Sequence, residues 1–152
     1  MTLYFAYGSN MSRPDMARRC PSAKAMGPAR LDGWRFLVTL DGYASIAPEA
    51  GSTVHGVLWR LSPRDLAALN AYESLDSGLY VRRTLPVRRG DRVVPALVYV
   101  GRGRGAGKPR PGYQQILVRA ATDWGFPKDY IRFLERWAEP VGARAPEVGE
   151  VG

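Results

Sequence analysis

The chain contains one cysteine, Cys20, and one histidine, His55. A single thiol excludes an internal disulfide and fits a reducing compartment. Two such residues are too few for a dedicated zinc site, and a Cys-His-Asp triad would use up both. The sequence is poorly equipped for covalent or metal catalysis, and neither a metal nor a cofactor is expected. Long apolar runs are missing as well. Nothing has the length of a bilayer span, and no charged segment leads into an apolar leader. A cytoplasmic protein without a membrane partner is the expectation. Acidic residues are scarce, 14 against 22 Lys and Arg, for a net charge of +8. That excess invites a nucleic-acid reading, but the arginines are scattered over Arg18-Arg19, Arg82-Arg83, Arg88-Arg89, Arg102, Arg104 and Arg110. No specific nucleic-acid partner is expected; the charge favours acidic small molecules.

What is present is enough for one folded domain. The 152 residues, 45% of them hydrophobic, can bury a core without staples. The patterned region covers residues 1–139, and a Gly/Pro/Glu/Val tail without pattern follows over 140–152. Residues 3–7 read as a buried strand. Ser12 then caps a short helix that Pro21 stops. Ala23–Leu31 and Trp34–Leu40 read as two strands joined by a hairpin-type turn at Asp32-Gly33. Ala44–Ala47 is an extended piece, followed by a loop from Pro48 through Gly51 and a strand over Val54–Leu61. Ser62-Pro63-Arg64-Asp65 repeats the cap signature and opens an amphipathic helix over 63–73. Leu79–Val87 and Arg92–Val100 form a hairpin around Gly90-Asp91. Residues 101–112 read as a flexible basic loop, and helices over 112–124 and 128–138 close the domain. About six strands with helices at the start, middle and end predict an α+β fold. The hairpins predict a small, mostly antiparallel sheet, curved or closed, rather than a parallel doubly wound one.

Two places carry chemistry. The first is Tyr7-Gly8-Ser9-Asn10, directly after the strand Leu3-Tyr4-Phe5-Ala6. A turn of this composition at a strand end can aim N–H groups at an anion, with Gly8 permitting close approach or positive φ. The second is Glu73. Of the six glutamates, Glu139, Glu147 and Glu150 lie in or beside the tail, Glu135 has polar neighbours and Glu49 sits in a loop. Glu73 instead follows Leu69-Asn70-Ala71-Tyr72 at a helix end. Carboxylates with apolar neighbours have raised pKa values and shuttle protons near neutrality.

Taken in order, Tyr4-Phe5-Ala6-Tyr7-Gly8-Ser9-Asn10-Met11, Val54-His55-Gly56-Val57-Leu58-Trp59, and Tyr72-Glu73 with Gly78-Leu79-Tyr80-Val81 resemble the gamma-glutamylcyclotransferase superfamily. Pro111-Gly112-Tyr113 and Gly125-Phe126-Pro127 before Asp129-Tyr130 are similar to its gamma-glutamylcyclotransferase branch. The resemblance runs from about residue 3 to 138. It implies a small β-barrel flanked by helices and release of 5-oxoproline from gamma-glutamyl compounds, glutathione among the open cases. It implies that Tyr4, Phe5, Ala6, Tyr7, Gly8, Ser9 and Asn10 line the head-group pocket, that Glu73 is the acid/base, and that Tyr80 and Tyr113 stand near substrate. Tyr99 matches less closely. It also implies a homodimer. Ser74 stands where the family often has glycine, and the 101–112 loop is longer and more basic than the family pattern.

The implied chemistry needs no protein nucleophile. The substrate's own α-amine attacks its γ-carbonyl, and one carboxylate can take the proton from the amine and hand it to the leaving group. The turn at Gly8–Asn10 can serve the oxyanion or the substrate α-carboxylate. Two other readings stay open on the residues. One is the same fold cleaving gamma-glutamyl-ε-lysine or a gamma-glutamylated natural product; the other is a noncatalytic binding module.

Overall fold

The computed structural model describes residues 1–72, 80–102 and 106–138. Glu73, Leu79 and the tail expected from residue 140 lie outside the described residues. Strand β1 (Thr2–Ala6) is apolar through its centre because it has a neighbour on each side. It pairs antiparallel with β3 (Ala44–Leu61) and parallel with β5 (Arg92–Gly101). β3 pairs with β2 (Lys24–Val38), β2 with β4 (Tyr80–Arg89), and β4 with β5. The order β1-β3-β2-β4-β5 closes into a barrel. Closure removes the unpaired edges that an open sheet would present. Phe5, Leu31, Val54, Val57, Leu58, Val87 and Val98 are fully buried. Each such side chain contributes roughly 1.5–3 kcal/mol relative to exposure. The α+β expectation of a mostly antiparallel barrel with flanking helices holds, and the β1–β5 seam supplies its parallel pairing.

Helix α1 (Arg13–Arg19) starts at Ser12, whose side chain accepts from the Asp15 N–H at 3.4 Å. Helix α2 (Pro63–Tyr72) has a reciprocal cap. Ser62 Oγ accepts from the Asp65 N–H at 3.1 Å, and the Asp65 carboxylate accepts from the Ser62 N–H at 3.5 Å. The same carboxylate accepts from the Ser22 N–H at 3.4 Å, tying α2 to the segment that enters β2. Helices α3 (Tyr113–Asp123) and α4 (Lys128–Trp137) are joined by Gln114 Nε2 donating to the Leu134 carbonyl at 2.9 Å. Trp124 Nε1 donates to the Met11 carbonyl at 2.8 Å, which fastens the end of α3 to the turn after β1.

Three sequence expectations need correction. Asp32-Gly33 is not a hairpin turn: β2 runs straight through it as one strand. Gly33 has φ +84°, the positive value a Gly-containing bulge also needs, and the β2–β3 register shifts between Asp32 and Trp34. The chain reverses later, over Thr39–Tyr43, where the Thr39 N–H donates to the Tyr43 carbonyl at 2.9 Å. Second, Ala44–Ala47 and Val54–Leu61 belong to one long β3, so five strands stand among the described residues where about six were expected. The expected loop survives as an interruption in pairing, since Pro48 faces Trp34 and Thr53 faces Asp32. Third, the described end of the basic loop is docked on the β2–β3 turn. The Gly107 N–H donates to the Val38 carbonyl at 2.8 Å and the Arg110 N–H to the Gly42 carbonyl at 3.2 Å.

Candidate active site

The strand directions bring the relevant segments to one end of the barrel. β1 and its parallel neighbour β5 both finish there, at Ala6 and Gly101, while β4 and β3 begin there, at Tyr80 and Ala44. A cleft of about 260 Å³ opens at this end. Its walls are the turn Tyr7-Gly8-Ser9-Asn10, Ala44, and seven of the chain's eight tyrosines. Among the described lining residues there is no amine, imidazole or carboxylate. The surface is phenolic and amide-like, suited to holding a polar, multiply charged small molecule through hydrogen bonds.

Each phenol is held by a neighbour. Tyr4 meets Tyr99 edge-on at 5.8 Å, and its hydroxyl accepts from Asn10 Nδ2 at 3.1 Å. Tyr7 donates to the Tyr99 carbonyl, and the Tyr99 hydroxyl donates to Asn70 Oδ1 on α2. Tyr80 donates to the Ala44 carbonyl at 3.0 Å, while the Tyr113 hydroxyl accepts from the Ala44 N–H at 3.1 Å. Supports of this kind fix the geometry of a site before substrate arrives.

Gly8 owes its place to close approach. Its φ is −117°, and a Cβ there would stand 2.9 Å from the Tyr113 hydroxyl oxygen. Ser9–Met11 then forms a single 3-10 turn. The opening N–H groups of such a turn, here those of Ser9 and Asn10, have no carbonyl partner within it.

Tyr4, Tyr7, Gly8, Ser9, Asn10, Tyr80 and Tyr113 therefore share one cleft, with Tyr99 beside them. Phe5 and Ala6 do not line it. Both are buried in the barrel core, and Phe5, on the opposite face of β1 from Tyr4, lays its ring over Gly56 of β3. Glu73 lies outside the described residues; Tyr72, which precedes it, is on the cleft wall.

Three contributors were not singled out from sequence. Tyr43, in the β2–β3 turn, and Tyr72, at the end of α2, are amphipathic residues with no local signal of their own. Their common feature is collective: Tyr7, Tyr43, Tyr72, Tyr80 and Tyr113 all fall at or next to the end of an element. The third is Arg19, on α1. It donates to Ser9 Oγ at 3.3 Å and to Asn10 Oδ1, and its guanidinium lies 3.9 Å from the centre of the Tyr72 ring. No carboxylate among the described residues pairs with it. A positive charge thus backs the Ser9-Asn10 turn, and it was read in sequence only as one of many surface arginines.

Cys20 and His55 stand apart from the cleft. Burial, reinforced by Asp65, pushes the Cys20 thiol up to about 11, the reverse of what a nucleophilic thiolate requires. His55 packs against Tyr130 at 4.6 Å and Phe126 at 5.9 Å, where burial and then Arg30 lower its pKa.

The family model described as gamma-glutamyl cyclotransferase, AIG2-like, matches residues 4–124. The chain belongs to this family. It is similar to the gamma-glutamylcyclotransferase of Mus musculus, 30% identical over 144 residues that cover 88% of this chain and 77% of the mouse protein. The Homo sapiens gamma-glutamylcyclotransferase is 29% identical over the same shares. A solved structure named gamma-glutamyl cyclotransferase superposes with a TM-score of 0.83 at 26% identity, covering 97% of this chain and 89% of that one. The barrel with its end-on cleft is thus the gamma-glutamyl cyclotransferase fold.

Proposed function

We propose that this protein is a gamma-glutamylcyclotransferase that releases 5-oxoproline from gamma-glutamyl amino acids, with Glu73 as general acid and base. The observation that carries the reading is the meeting of the Tyr7–Asn10 turn and the end of α2 in one tyrosine-walled cleft, within a chain of this family. The substrate's glutamyl head sits in the turn, its α-carboxylate or the reaction's oxyanion held by the Ser9 and Asn10 N–H groups.

The α-ammonium gives a proton to Glu73. The freed amine attacks the γ-carbonyl, a new C–N bond closes the five-membered lactam, and the old amide C–N bond breaks. Glu73 returns that proton to the departing nitrogen and carries the second proton shed by the ring nitrogen to it as well. The products are a lactam N–H and a departing ammonium, and no water enters the balance. Folding the glutamyl chain for ring closure is worth roughly 7–11 kcal/mol in favourable intramolecular reactions. Proton transfer by one placed carboxylate adds about 10²–10⁴-fold. The single buried thiol fits a cytoplasmic setting.

Mass spectrometry of gamma-glutamyl compounds incubated with the protein tests the reading. Wild type releases 5-oxoproline, and Glu73→Gln, folded by circular dichroism, loses at least about a hundredfold in kcat. Near-full turnover by folded Glu73→Gln removes the acid/base assignment.

A further inference from the structure

The family match leaves the departing amine unspecified. Besides Arg19, a second cation stacks on a wall of the cleft: Arg110 lies over the Tyr43 ring. Arg110 is fixed at its root: its N–H donates to the Gly42 carbonyl at 3.2 Å and its Nε to the Asp41 carbonyl at 3.0 Å. From there its guanidinium carbon reaches 4.9 Å from the centre of the Tyr43 ring. Tyr43 is a cleft wall and meets Tyr113 edge-on at 5.5 Å, and the Tyr113 hydroxyl packs on Gly8. A continuous path therefore runs from the head-group turn over Tyr113 and Tyr43 to Arg110. Six other arginines of the described residues are ion-paired; Arg110 pairs with no described carboxylate. With Nε committed to the backbone, the two Nη groups form a fork suited to a carboxylate.

Resting on the cyclotransferase reading, we propose that Arg110 binds the carboxylate of the departing amino acid and is the residue through which the cleft tells that group from a neutral amide. In a gamma-glutamyl amino acid this carboxylate is one carbon from the scissile nitrogen, on the side away from the glutamyl head. Arg19 backs the head-group turn; Arg110 reads the other end of the same molecule.

The test compares kcat/KM for gamma-glutamylalanine and gamma-glutamylalaninamide, which differ by one charge. Wild type favours the carboxylate. Arg110→Ala lowers the carboxylate-to-amide ratio about fivefold, mostly through KM, and Arg110→Lys restores part of it. An Arg110→Ala ratio within the error of wild type, or a wild type without preference, overturns the assignment. Should Arg110→Ala fail to fold, the ratio is read in wild type against added NaCl: the preference shrinks with salt if a charge pair makes it, and a constant ratio overturns the proposal. Absence of 5-oxoproline from both substrates with wild type is a separate result. It removes the cyclotransferase reading, and this one with it.

Discussion

Arg19 connects three pieces of the cleft through one side chain: the Ser9 hydroxyl, the Asn10 amide and the face of the Tyr72 ring. By holding Asn10 Oδ1 it turns Nδ2 toward the Tyr4 hydroxyl, so one guanidinium sets the orientation of an amide and a phenol together. Hydrogen bonds to charged groups contribute about 1.5–3 kcal/mol each. Arg19→Gln therefore lowers kcat/KM about tenfold or more for every gamma-glutamyl substrate alike, whatever amine leaves. Measured beside Arg110→Ala on the alanine and alaninamide substrates, it leaves their ratio near the wild-type value. The contrast separates a residue that orders the head-group turn from one that senses the leaving group. Reading from sequence found the turn because Gly-Ser-Asn after an apolar strand has a local chemical meaning. It passed over Arg19 because an arginine's role depends on which partners the fold delivers.

Helix α2 supplies Tyr72 to the cleft at its last turn, so its starting point matters as much as its end. The Asp65 carboxylate, almost fully buried, accepts N–H groups from both Ser62 and Ser22. Asp65→Ala leaves the half-buried Ser62 N–H and the exposed Ser22 N–H without this acceptor and costs about 1–2 kcal/mol, read as a lower urea midpoint at unchanged m-value. This cap was legible as Ser-Pro-Arg-Asp, because capping is written in adjacent residues. The barrel's longest strand was not legible in the same way. Asp32-Gly33 does specify a positive φ at the glycine, and both a hairpin turn and a bulge satisfy that demand. What decides between them is pairing across β2 and β3, Leu31 with Val54 and Phe36 with Ile46, which lies far from the dipeptide. For a related reason, Phe5 stands away from the cleft that Tyr4 lines. A motif names consecutive residues, whereas a strand sends them to alternate faces.

At the scale of the whole molecule, His55 introduces a pH dependence. Burial between the barrel wall and α4 holds its pKa below 6.5, with Arg30 adding to the effect and Asp32 opposing it. Below that pH the unfolded chain takes up a proton that the folded chain refuses. Stability therefore falls as pH drops through 6.5 toward the folded pKa, with a slope of at most about 1.4 kcal/mol per pH unit from this one group. Thermal melts of wild type and His55→Gln between about pH 7.5 and 5.5 check this, the expected outcome being a shallower decline in the variant. The barrel as a whole has one further consequence. Tyr4 of β1 lies opposite Leu97 of β5, so the first strand to leave the ribosome has its parallel partner among residues translated much later. Until that strand emerges, the nascent sheet carries two open edges, and the tyrosines from β1 and β5 cannot meet. Emergence of β5 through Gly101 is thus the step at which the open-edged ribbon can become a sealed cylinder.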